Sequence, residues 1–194
     1  AYSVLRTEED QILSFDDILD PIDTDSDIPD LSYKWEFGDA SRTEWIGTPD
    51  VDHVYDRSGT YQAVCFVKDD DGETGNITIT VRVENPPPEM ETVSQFTEVW
   101  EDQEFQIDFT ADDNPSDREA LNFFVDLGDG RRFQAGSGVL VSYPVSGDHE
   151  IVVTVVDDDG AEDSMGSWIT VKNRPPSGEI TSSAISVDED EPIY

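Results

Sequence analysis

The chain repeats itself, and that constrains its fold more than anything else in it. KDDDGE (68–73) returns as VDDDGA (156–161), 88 residues later, and VENPPPE (83–89) returns as VKNRPPS (171–177) at the same interval. WEFGDA (35–40) returns as VDLGDG (125–130), offset by 90. TEEDQ (7–11), WEDQE (100–104) and DEDEP (188–192) form a further series. These landmarks keep one order, so the chain reads as tandem units of 88–90 residues. The first unit spans 1–84 and the second 85–172, while 173–194 carries the linker and opening strand of a third, incomplete repeat. The sequence is therefore expected to be cut from a longer array. Its opening, AYSVLRTEED, has no basic stretch followed by an apolar one and reads as part of a mature protein rather than a leader.

Each unit has the pattern of strands. YQAVCFV, NITITVRV, VLVSY, HEIVVTVV and WITVKN are rich in β-branched residues, and ITITVRV alternates cleanly. Gly-Asp and Asp-Gly pairs interrupt the runs, and no helical period extends beyond two turns. Six or seven short strands per unit predict an all-β fold, with two antiparallel sheets packed as a sandwich. The three prolines at 86–88 cannot join a ladder, so they predict a short, semi-rigid link between sandwiches.

Charge decides which partners are plausible. The net charge is −35, with 46 acids against 11 lysines and arginines. Nucleic acid is excluded as a partner, because phosphate binding needs a basic surface. The acids point instead to cations, basic partners or a salty medium. No apolar run reaches the ~18 residues of a membrane span. Cys65, the single cysteine, has no internal disulfide partner and is expected to be a small buried hydrophobe.

LSYKWEFGD (31–39), HVY (53–55), SGTY (58–61) and VKDDDG (67–72) resemble the signature of the polycystic-kidney-disease (PKD) domain: W-x-F-G-D, then H-x-Y, G-x-Y and D-x-x-G. The second unit departs from it, with Val125 and Leu127 in place of the two aromatics and no H-x-Y histidine. Gly128-Asp129-Gly130, Tyr143, Gly147 and Asp157–Gly160 still fit. The acidic segments are also similar to those of cadherin-like modules. The resemblance implies immunoglobulin-like sandwiches arranged in tandem on extracellular, surface-layer or secreted proteins, several of which bind calcium near their ends.

Sandwich topology fixes which loops share an end. If the first strand runs away from the leading end and the second returns, the loop between the second and third strands lies at the leading end. The turn between the last two strands lies there too. In unit two these are residues 111–120 and 157–163, and the linker at Asn85 arrives at the same end. The first turn of unit one, Glu9-Asp10, lies at the trailing end of that unit. Glu9, Asp10, Asn85, Asp112, Asp113, Asp117 and Asp157 are thus expected to converge on one junction. Calcium takes six to eight hard oxygen ligands in flexible geometry, whereas zinc favours histidine and cysteine, which are nearly absent here. Ca²⁺ is therefore the expected ion, with solvated loop acids as the competing reading. Glu101, Asp102 and Asn173 would begin the same set at the next junction. Asp16, Asp17, Asp20, Asp23, Asp25 and Asp27 would serve the one before unit one. The DxDxD at 23–27 lacks the glycine and final glutamate of an EF-hand loop.

The remaining features read as structural. Trp35 is expected in the core, Trp45 and Trp100 at exposed positions, and Tyr55 and Tyr143 at tyrosine corners. Asn76-Ile77-Thr78 is a glycosylation triplet. His53 and His149 lie in different units with no evident nucleophile, so catalysis is not expected. The sequence thus reads as a non-catalytic structural or adhesive segment of a cell-surface, surface-layer or filament protein, with interdomain Ca²⁺ stiffening the array. The expected partners are neighbouring repeats, other cell-surface proteins, glycans or copies of itself. The alternative is an accessory module of a secreted hydrolase that binds polysaccharide or protein.

Overall fold

The computed structural model describes residues 4–16, 18 and 30–178. Unit one contains β1 (Val4–Glu8), β2 (Ile12–Ser14), β3 (Ser32–Glu36), β4 (Asp52–Val54), β5 (Gly59–Lys68) and β6 (Thr74–Glu84). Its larger sheet has the order β1-β6-β5-β3, and β2 pairs with β4 in a second, smaller sheet. Unit two contains β7 (Glu89–Val93), β8 (Glu98–Trp100), β9 (Phe105–Asp112), β10 (Asn122–Asp126), β11 (Arg132–Ala135), β12 (Gly138–Val141), β13 (Gly147–Val156) and β14 (Glu162–Lys172). These form a five-stranded sheet, β11-β10-β13-β14-β8, and a three-stranded one, β12-β9-β7.

Unit two has eight strands where six or seven were expected. Its first strand is split: β7 pairs antiparallel with β9, and β8 pairs parallel with β14 in the other sheet. In unit one, β1 makes the corresponding parallel pair with β6, from Val4↔Thr80 to Glu8↔Glu84. The first strand of each unit thus lies alongside the last and points the same way.

Period-two alternation builds each core. In unit one, Ala63 and Cys65 of β5, Ile79, Val81 and Val83 of β6, and Tyr33 and Trp35 of β3 are buried. Trp35 is fully covered, lies 4.8 Å from Phe15 between ring centroids, and donates its indole N–H to the Pro49 carbonyl at 2.8 Å. Cys65 lies in the same core, and burial pushes its thiol pKa up to about 12. Unit two fills the equivalent space mainly with aliphatic residues, including Ile107, Val125, Leu127, Val153 and Ile169, alongside a buried Phe109.

Both tyrosine corners form. Tyr55 donates its hydroxyl to the Phe37 carbonyl at 3.0 Å, and Tyr143 donates to the Leu127 carbonyl at 2.8 Å. Burial raises both phenols, Tyr55 the further. The Gly-Asp turns require glycine. At Gly38 (φ 88°) a Cβ would come within 2.9 Å of the Gln62 carbonyl oxygen, and at Gly128 (φ 70°) within 2.5 Å of that of Glu150.

Candidate cation site at the junction between the units

The turn after β1 is tight. Asp10 takes a left-handed conformation (φ 58°), and its N–H donates to the Tyr55 carbonyl at 2.9 Å. The Glu9 N–H donates to the Glu84 carbonyl at 3.1 Å, which ties the turn to the end of β6. Glu9 and Asp10 are thereby held at the trailing end of unit one.

In unit two the loop 113–120 winds into successive turns in which the Arg118 N–H donates to the Asn114 carbonyl and that of Ala120 to the Asp117 carbonyl. The winding sends neighbouring carboxylates in opposite directions. Asp113 is half-buried and Asp117 buried, whereas Asp112 is exposed and ion-paired with Arg118 at 2.5 Å. In the β13–β14 turn Asp157 is 3 % exposed, and its Oδ1 accepts the N–H groups of Gly160 and Ala161.

The two units meet through these groups. Asn114 Nδ2 donates to Glu9 Oε2 at 3.1 Å and to Asp117 Oδ2 at 3.0 Å. Ser116 donates both its N–H and its hydroxyl to Asp10 Oδ2, each at 2.9 Å. Asn85 Nδ2 donates to Asp157 Oδ2 at 2.9 Å, and the Ser58 hydroxyl donates to Asp159 Oδ2. Pro88 is buried as the linker joins β7.

The result is a covered cluster of acids. Asp113, Asp117 and Asp157 each bring a carboxylate oxygen within 4.8 Å of the others. Glu9 is 1 % exposed and lies against Asp117. Burial, then the Asp117 carboxyl, pushes its pKa up to about 7, against the opposing Asn114 amide. Asp113 is also raised, chiefly by burial. Three buried oxygens here have no hydrogen-bond partner: Glu9 Oε1, Asn85 Oδ1 and Asp113 Oδ2. Orphaned buried acceptors are costly, and side-by-side carboxylates repel. A hard divalent cation removes both penalties, and the donor set suits it: carboxylates and an amide carbonyl, with no nitrogen or sulfur ligand.

The expected site residues therefore fall into groups. Glu9, Asp10, Asn85, Asp113, Asp117 and Asp157 come together at the junction, with Asp10 engaged by Ser116. Asp112 belongs to the loop but faces Arg118, and nothing in the spacing of adjacent aspartates distinguished it from Asp113. Glu101, Asp102 and Asn173 lie at the trailing end of unit two, where Glu101 accepts the N–H groups of Ser146 (2.8 Å) and Arg174 (3.1 Å). Asp20 and Asp23 lie outside the described residues. Three acids missed from the sequence also line the interface: Asp56, Asp158 and Asp159. Asp56 lies in the short turn between β4 and β5, at the same end as Glu9, so the topology that located Glu9 would have located it too.

Ser41, His53 and Asp39 sit together without forming a catalytic relay. Asp39 Oδ2 (2.7 Å) and Ser41 Oγ (3.3 Å) both address the same ring nitrogen, His53 Nε2. The imidazole is stacked on Phe37 at 3.9 Å and is packed as part of the corner.

Known proteins give the following comparisons. No curated protein matches the chain. Among solved structures, the fibronectin(III)-like modules of Clostridium thermocellum CbhA align at 17 % identity and TM-score 0.38, covering 94 % of this chain and 95 % of theirs. The titin domains z1z2, solved in complex with telethonin, align at 10 % identity and TM-score 0.43, covering 90 % and 93 %. A Bacteroides ovatus glucan-utilisation protein, SGBP-B, solved with a mixed-linkage heptasaccharide, aligns at 17 % and 0.34, covering 88 % of this chain and 43 % of that one. In sequence, the PKD domain family matches twice, over residues 6–84 and 85–172, and the chain belongs to that family.

Proposed function

We propose that this chain is a non-catalytic structural or adhesive segment of an extracellular, surface-layer or filament protein, in which Ca²⁺ held between consecutive PKD modules fixes their relative orientation. PKD domains are in general structural modules found outside the cell. The observation that carries the proposal is Glu9: a carboxylate from one module, 1 % exposed, buried against the acids of the next with one oxygen unpartnered. Asp113, Asp117, Asp157 and Asn85 would hold the ion with it. The ion would supply positive charge and several ligand bonds spanning both modules. The protein already supplies the hydrogen-bonded frame, through Asn114, Ser116 and Ser58.

The alternative of a glycan-binding module would call for a row of open aromatics. On the outer face of the large sheet of unit two, Trp168 is 62 % exposed. Trp100, 44 % exposed, lies on the same face, with the Lys172 ammonium 5.8 Å from its ring centroid and bonded to Glu98. Two tryptophans, one of them engaged by a lysine, do not make a row, so the mechanical reading is favoured.

Small-angle scattering and thermal unfolding with Ca²⁺ and with excess EDTA test the proposal. Chelation is expected to broaden the distribution of interdomain distances and lower the Tm. Identical scattering and Tm in the two conditions would overturn it.

A further inference from the structure

We infer that the junction takes a second divalent cation, in a cavity on the outer side of the Asp113–Asp117–Asp157 cluster. The inference rests on the proposal of an interdomain cation site, shares Glu9 and Asp117 with it, and adds Asp56, Asp158 and Asp159.

A cavity between the two units is lined by Glu9, Asp56 and Arg57 of unit one, and by Ser116, Asp117, Asp158 and Asp159 of unit two. Glu9 and Asp117 belong to its wall and also to the inner cluster. Asp56, Asp158 and Asp159 belong to the cavity alone. The rim is closed by hydrogen bonds between the units: Ser58 to Asp159 on one side, and Ser116 to Asp10 on the other.

Acidic loops alone do not make a site, since solvated carboxylates are common. Here the decisive group is Glu9, which is 1 % exposed, lines this cavity, and has an oxygen without a hydrogen-bond partner. Charge points the same way. Seven carboxylates line the cavity and the inner cluster together: Glu9, Asp56, Asp113, Asp117, Asp157, Asp158 and Asp159. One divalent ion and Arg57 leave four negative charges uncompensated within the contact. The outer acids are exposed, and a cation there can keep part of its water while bridging Glu9 to Asp158 or Asp159. Two ions sharing Glu9 and Asp117 would couple the inner cluster to the rim, so that both modules are gripped at two points.

Equilibrium dialysis with radioactive Ca²⁺ on this chain, at near-physiological salt, reads the stoichiometry. Two ions per chain are expected, the outer one at least tenfold weaker. Asp56→Asn combined with Asp158→Asn is expected to abolish the weaker ion and leave the tighter one. Asp113→Asn combined with Asp157→Asn is expected to abolish the tighter one. Asp50→Asn with Asp52→Asn, just before β4 and at its start, should change neither, because neither residue lines the junction. Circular dichroism and the unfolding transition establish that each variant folds. A single ion in the unmutated chain overturns this inference and leaves the interdomain site standing, whereas no ion overturns both. Two ions that persist in the Asp56/Asp158 variant, or an ion lost in the Asp50/Asp52 variant, also overturn it.

Discussion

Glu9 and Glu101 occupy the same turn in successive modules and meet different fates. Each precedes an aspartate in left-handed conformation, Asp10 at φ 58° and Asp102 at φ 57°. The N–H of each donates to the end of the last strand of its unit, Glu84 at 3.1 Å and Lys172 at 3.0 Å. Each aspartate N–H donates to the corner tyrosine's carbonyl at 2.9 Å. Yet Glu9 is buried, with a carboxyl pKa pushed up to about 7. Glu101 is held below the usual carboxylate range, first by the Arg174 N–H and then by the groups of Ser146. The backbone of the turn is set by the module itself, whereas the electrostatic state of the glutamate is set by what packs against it. The position equivalent to Arg174 in the first linker is Pro86, which has no N–H to offer.

The sharpest way to break this comparison is to remove Asp117, which lies against Glu9, together with Asp113 beside it in the cluster. Asp113→Ala with Asp117→Ala is expected to weaken Ca²⁺ binding by two orders of magnitude or more, by calorimetric titration. Asp112→Ala should change it by less than threefold, because Asp112 faces Arg118. Equal losses in the two experiments would mean that the loop acids act as a diffuse counterion cloud. Next, Glu9→Gln is expected to weaken the binding at least tenfold, whereas Glu101→Gln leaves it within twofold.

The corner tyrosines should behave alike. Tyr55→Phe and Tyr143→Phe each leave a buried carbonyl without its donor, and each should lose ~1–2 kcal/mol in urea unfolding. A much larger effect at one corner would show that the aromatic core of unit one and the aliphatic core of unit two tolerate the loss differently.

The smallest effect is the pH dependence without metal. The usual glutamate value is 4.5, and in the folded protein Glu9 titrates near 7. Between these values the folded state binds the extra proton, so its contribution to stability is present at low pH and is lost as pH rises through 7. In EDTA, thermal unfolding of the wild type should fall relative to Glu9→Gln as pH goes from 5 to 7.5. A parallel dependence in the two proteins would show that the Glu9 carboxyl is not strained.

Much of this was legible in the sequence because each signal had a local cause. The repeat interval set the modules, alternation set the faces, and Gly38 and Gly128 marked backbone that no side chain fits. Strand parity alone brought Glu9, Asn85, Asp113 and Asp157 to one end. What stayed hidden depended on turns shorter than any period. Whether Asp112 or Asp113 faces inward is decided by the winding at Asn114 and by Arg118. Likewise, the splitting of the first strand into β7 and β8 depends on the chain crossing between sheets between Val93 and Glu98, which no residue pattern announced.

The parallel pairing of first and last strands has a mechanical consequence. A pull on the array draws β1 toward the leading end and β6 toward the trailing end, so the load runs lengthwise along their ladder. Its hydrogen bonds must yield together rather than peel one by one. In unit one that load falls on the five described residue pairs between β1 and β6, whereas the split first strand of unit two divides it between four pairs of β7 with β9 in one sheet and three of β8 with β14 in the other.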